Sequence, residues 1–86
     1  MTVHIPTALQ SYTSQEREVS VEGTTLAEIL ASLDMQFPGI RFRIVDEQDR
    51  VRPHIRIFIN NDQASHLHVT LGADDDVYIV CALSGG

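Results

Sequence analysis

The stretch "TTLAEILASLDMQFPG" leaves this chain few ways to fold. Thr25 stands three residues before Glu28. At that spacing a threonine hydroxyl accepts one free helix N–H while the carboxylate reaches back to another. Leu26, Ile29, Leu30 and Leu33 then recur at helical spacing, Phe37 extends the stripe, and Pro38-Gly39 stops it. A helix with one apolar stripe must cover something. The rest of the chain is short and strand-like, so the helix is expected to lie on one face of a small mixed sheet. Its shortness and lack of a basic face disfavour a membrane-surface or coiled-coil use.

The strands are read from alternation. "TVHIPTAL" alternates at Val3 and Ile5 around His4 and ends at Pro6 or soon after. "SYTSQE" reads as a polar loop, and "REVSVEG" alternates again through Val19 and Val21 before breaking at Gly23. Together they predict a hairpin whose loop is longer than a tight turn. "IRFRI" also alternates, in an otherwise irregular stretch, and "DEQDR" reads as a turn. "HIRIFINN" is the strongest strand, with Ile55, Ile57 and Ile59 on one face and Arg56 and Phe58 on the other. "NND" turns the chain, and "QASHLHVTLGADDD" reads as a connector holding one more short strand or a 3₁₀ turn. "VYIVCA" closes the domain, with Val77, Ile79 and Cys81 opposite Tyr78, Val80 and Ala82. The first and last strands are expected side by side in the middle of the sheet. Val3, Ile5, Ile57, Ile59, Val77 and Ile79 should then face the helix, leaving His4, Arg56, Phe58, Tyr78 and Val80 on the open face.

Composition narrows the function. Eighty-six residues make one domain. A chain of that length buries roughly 60–65% of its unfolded surface, so modest stability is expected. No apolar run approaches the ~18 residues that span a bilayer, and "MTVHIPTALQ" lacks the pattern of a signal peptide. A cytoplasmic protein without membrane partners is expected. The net charge of −6 argues against nucleic acid and favours partners with basic surfaces. A single cysteine rules out an internal disulfide and a cysteine-based zinc cluster. All six basic residues are arginine, so the chain offers no lysine as an acyl acceptor.

Several local motifs invite a site and fall short. His66 and His68 would share a face on a strand, as metal ligands might be arranged, but no cysteine accompanies them and a polar loop pair explains them better. Asp74-Asp75-Asp76 lacks the spaced oxygens and glycine of a calcium loop and reads as an acidic turn into the last strand. Cys81 lies in an apolar strand without a neighbouring base, so a packed thiol is expected rather than a nucleophile. "RVRPHIR" is basic but short, in an acidic chain, and reads as a solvated lead into a strand. No metal site and no catalytic triad is expected.

The sequence closes on "ALSGG". At average usage two terminal glycines arise by chance in roughly 0.5% of chains. The pair follows a strand directly, so residues 83–86 are expected to project as a flexible arm from a domain of residues 1–82. Glycine, without Cβ, lets a backbone thread a narrow channel and lie against another enzyme's catalytic atoms. The terminal carboxylate has a pKa of about 3.5, so near neutrality it is an anion and a poor electrophile. Acyl chemistry there requires prior activation, most simply as a mixed anhydride with AMP. No phosphate-cradling loop is present in the chain to do this itself.

With "VHIPTAL", "GTTLAEILASL", "IRIFIN" and "DDDVYIVCALSGG", the chain resembles the ubiquitin-like sulfur carriers of the MoaD/ThiS group over nearly its whole length. Its start and "PGIRFRIVDE" are most similar to the carrier of the thiocarboxylate-dependent cysteine pathway. The resemblance implies an α+β, ubiquitin-like β-grasp fold: a mixed sheet of four to five strands with one helix packed on one face. It implies that Gly86 is adenylated by an E1-like enzyme and converted to a thiocarboxylate. Gly85 would give clearance, and Leu83 and Ser84 would form the stalk. ATP would be used by the partner, with no cofactor bound by this chain. The partners implied are the activating enzyme, a sulfur donor (sulfurtransferase or sulfide) and a sulfur-accepting synthase. The protein would be a recycled co-substrate and not an enzyme. The open-face residues His4, Arg56, Phe58, Tyr78 and Val80 would dock partners. Two other readings stay open from the residues: a protein modifier joined through Gly86 to lysines of other proteins, and a plain β-grasp interaction module.

Overall fold

A computed structural model describes residues 1–82. The expectations placed on Leu83, Ser84, Gly85 and Gly86 lie outside the described residues. Five strands form one mixed sheet: β1 (Thr2–His4), β2 (Glu18–Ser20), β3 (Ile55–Ile59), β4 (Asp62–Gln63) and β5 (Asp76–Cys81), in the order β2-β1-β5-β3-β4. β1 and β5 are parallel neighbours, and the other pairs are antiparallel. The first and last strands do meet inside the sheet, as expected. The longest strand, β5, thereby gains a partner on both edges.

Register fixes the faces. Val3 lies opposite Val19 and Val77, and Ile57 lies opposite Ile79. All five are buried in one cluster with Leu26, Ile29, Leu30 and Leu33 of helix α1 (Leu26–Gln36). Ile59 is half-buried against the same core. Because strand side chains alternate, this covering sets the residues between them on the other face.

The start of α1 shows how the fold satisfies the free N–H groups of a helix end. Glu28 N–H donates to Thr25 Oγ1 at 3.2 Å. The Glu28 carboxylate accepts from the N–H and hydroxyl of Thr24 at 2.7 and 2.9 Å. Leu26 and Ala27 donate to the carbonyls of Val69 and Leu67. Residues 64–71 therefore form a backbone clamp on the helix N-terminus, with Thr70 bridged to Thr25 and Leu67 and Leu71 buried. Locally they read only as a connector.

Three stretches depart from the local reading. "IRFRI" is a helix, α2 (Ile40–Ile44), and not an alternating strand. Ile40 and Ile44 are both buried, whereas Phe42 is 55% exposed. A strand would have set all three on one face; an i,i+4 helical pair explains the burial. Gly39, at φ 98°, makes the sharp entry from α1, and Asp34 Oδ1 accepts the N–H groups of Gly39 and Arg41. "TALQSYT", expected to start in strand and run into loop, is a 3₁₀ helix over Thr7–Thr13. Its buried Thr13 hydroxyl is 2.8 Å from the Glu16 carbonyl, which satisfies it without a sheet neighbour. In "NND", the turn is carried by Asn60 and Asn61, while Asp62 already pairs with Ile59 in β4.

Candidate docking face and tail root

The open face is organised by the three inner strands. His4, Tyr78 and Phe58 lie side by side across β1, β5 and β3, and Val80 lies opposite Arg56 in the next open-face row. The His4 and Tyr78 rings stack with centroids 4.1 Å apart and 6° between planes. Tyr78 is 37% exposed and Val80 43%. Together with half-buried Phe58 and the turn residues Asn60 and Asn61 they edge a shallow depression. An aromatic-aliphatic patch of this kind, rimmed by amides, has the composition of a protein interface. Arg56 flanks it, its Nη1 donating to the carbonyls of Pro53 and Ile55 at 2.6 and 3.1 Å. His4 Nε2 is shielded from solvent, makes no hydrogen bond, and lies 3.5 Å from Asp76 Oδ1. All five open-face residues read from alternation thus lie where expected.

At the far end of β5 the backbone makes one more sheet-like bond, from Ala82 N–H to the His54 carbonyl at 2.7 Å. The sheet pairing therefore runs up to Ala82, the last described residue. Beside it lies a groove of about 460 Å³ lined by Leu9, Tyr12, Arg43, His54, Cys81 and Ala82. Burial pushes the Cys81 thiol above its ordinary value, so at neutral pH it remains a thiol. This agrees with a packed side chain. No local pattern in the sequence singles out His54 or Arg43. Only the pairing of Ile55 with Cys81 and the packing of α2 bring them to the end of β5.

The remaining motifs do not assemble with this site. His68 N–H donates to His66 Nδ1 at 3.1 Å, and the two rings are 6.0 Å apart. Among the described residues no group of three metal-binding side chains converges. Asp75 accepts from Gly72 N–H and the Asn60 amide, which closes the acidic turn before β5. No helix among the described residues is long and apolar enough to cross a membrane.

The ThiS family profile matches residues 3–86, from β1 through both terminal glycines. The chain belongs to the ThiS family. Its relatives include the sulfur carrier protein CysO of Mycobacterium tuberculosis, 30% identical over 91 residues, which span 100% of this chain and 98% of that protein. The fold matches a chain in the crystal structure of the Amycolatopsis orientalis BexX/CysO complex, with a TM-score of 0.91, 30% identity, and 99% and 98% of the two chains covered. It also matches SAMP1 of Haloferax volcanii, with a TM-score of 0.78 at 23% identity over 100% and 98% of the chains, a likeness of fold. The five-stranded sheet and its packed helix are thus the ubiquitin-like β-grasp of ThiS-family, CysO-like chains.

Proposed function

We propose that this ThiS-family protein is a sulfur carrier whose Gly86 carboxyl is activated and thiolated by partner enzymes. The observation that carries the reading is the family match over residues 3–86, whose span takes in the final Gly-Gly as well as the folded domain. The likeness to CysO sulfur carriers supports it, and so does the end of β5, which is anchored up to Ala82. Four residues follow that anchor, with a reach of at most about 14 Å. Such a reach lets a small domain present a carboxyl inside another protein's active site while its own sheet docks outside.

The chemistry proceeds in two displacements on the partner. A Gly86 carboxylate oxygen attacks the α-phosphorus of ATP and pyrophosphate leaves, giving an acyl adenylate. Sulfide then attacks the acyl carbon and AMP leaves with the electron pair of the broken C–O bond, giving –CO–S⁻. The adenylate matters because the free carboxylate resists nucleophiles. The carrier contributes a handle, an unhindered glycine and a docking face: Gly85, Ser84 and Leu83 enter the channel, while His4, Arg56, Phe58, Tyr78 and Val80 meet the partner's surface. ATP is bound by the activating enzyme. The sulfur goes to an accepting biosynthetic enzyme, with a cysteine-forming synthase favoured by the CysO likeness.

An intact mass of the protein from its native host, taken without thiol scavengers, tests this. Exchange of one carboxyl oxygen for sulfur supports the carrier. Covalent adducts to other proteins through Gly86 would replace it with a protein modifier. An unaltered carboxylate after incubation with ATP, the host's E1-like enzyme and sulfide refutes it.

A further inference from the structure

Charge is segregated along β5. At its start lie Asp74, Asp75 and Asp76, with Asp62 on β4 close to the same end, since Ile59 pairs with both Asp62 and Val77. Around its other end lie Arg43 and His54, beside Cys81 and Ala82 in the groove, and Arg56, opposite Val80; the segment 41–56 that supplies them holds five of the six arginines against three acidic residues. The overall charge of −6 conceals this. The two ends of the strand are separated by about 17 Å. Salt screens charge over about 8 Å at physiological strength. A surface meeting the Ala82 end therefore experiences local positive charge, not the net negative charge.

The arginines there divide into two kinds. Arg41 and Arg50 are paired with Asp49 and Asp46. Arg43 and Arg56 form no salt bridge among the described residues and rest on neutral groups; Arg52 forms none either, though its charge acts on Asp46. Arg43 Nε donates to the Tyr12 hydroxyl. Arg52 Nε donates to the Phe42 carbonyl at 2.7 Å, with its guanidinium over the Phe42 ring. Arg56 uses Nη1 on two carbonyls. A guanidinium carries five N–H donors. Each is thus oriented through one nitrogen and keeps further donors for a carboxylate, with part of its ordering cost already met.

Resting on the carrier reading above, we infer that Arg43 and Arg56 form a basic collar at the tail root that docks onto an acidic rim around the active-site entrance of the activating enzyme. The location argues for that partner surface. Gly86 lies at most about 14 Å of chain beyond Ala82, so whatever receives the collar stands close to the catalytic atoms. There, two anions, the Gly86 carboxylate and ATP, must be brought together. An acidic rim at the mouth of the channel pairs with the collar and orients the domain so that the tail enters toward ATP.

ATP–pyrophosphate exchange by the host's E1-like enzyme tests the collar. Arg43→Glu and Arg56→Glu should each lower kcat/KM about tenfold at low salt, in KM, with kcat within twofold. Arg43→Lys and Arg56→Lys should stay within about threefold of wild type, because a point charge remains. The wild-type KM should rise with added salt, and Asp74→Asn at the other end should change nothing. Circular dichroism melts confirm that each variant is folded; if Arg43→Glu is not, Arg56→Glu and the salt dependence decide. If both reversed variants match wild type, or its KM ignores salt, the collar is overturned while the carrier stands. If wild type supports no exchange, or the chain lacking Gly86 supports it equally, both readings fall.

Discussion

Ile79 and Val80 are neighbours on β5 with opposite surroundings, which makes them a paired probe of the fold. Ile79 is 3% exposed in the core beneath α1, and Val80 is 43% exposed on the open face. Ile79→Ala removes three buried carbons, about 2.4 kcal/mol at ~0.8 kcal/mol each, and the residual cavity raises this to about 3 kcal/mol. Val80→Ala removes two methyl groups that are roughly half covered, about 0.8 kcal/mol. At ~0.1 kcal/mol per residue the whole domain has about 9 kcal/mol of stability. Ile79→Ala should then lower Tm by about 12–24 °C and Val80→Ala by about 3–6 °C. Thermal and urea melts followed by circular dichroism measure both. The ordering should reverse in a partner-exchange assay once both are folded: Val80→Ala should weaken KM and Ile79→Ala should not. Equal losses of Tm, or a larger loss for Val80→Ala, would show that the face taken as open is covered and would refute the assignment of sides.

Gly39→Ala should cost about 1–2 kcal/mol in urea melts, because φ of 98° strains any residue with a Cβ and the new methyl would touch Tyr12 at 3.6 Å. The carboxyls of Glu28, Asp46 and Asp75 are held below their ordinary range, chiefly by the N–H groups of Thr24, Arg50 and Gly72 respectively. Their contribution is therefore present above the unfolded carboxylate range and lost as pH falls through the lower folded values. Tm should be level from pH 7 to about 5 and fall below about 4, less steeply in Asp75→Asn. Burial raises the Cys81 thiol, so iodoacetamide should label it more slowly than a free thiol at pH 7.5 and catch up in urea.

Much of the fold was legible because its signals are local. The capping pair Thr25 and Glu28, the stripe of α1 and the alternation of β3 and β5 each need only a few neighbouring residues, and each lies where its spacing placed it. "IRFRI" was not legible because five residues satisfy period two and an i,i+4 pair alike. The choice fell to the left-handed Gly39 and to Asp34, a residue of the preceding helix. Residues 64–71 could not be read as the clamp on α1, since their carbonyls find Leu26 and Ala27 only across the folded domain.

The candidate site divides in the same way. Alternation alone places His4, Phe58, Tyr78 and Val80 on one side of their strands, and the closing "SGG" is plain in the letters. That the first three share one row depends on β1 and β3 flanking β5, a long-range pairing. The basic surroundings of the tail root depend on it too, together with the turn that carries α2 against the 3₁₀ helix. A net charge is a sum over the sequence and holds no distances. Which sign a partner meets is set by the few side chains within a screening length, and only the tertiary fold decides which those are.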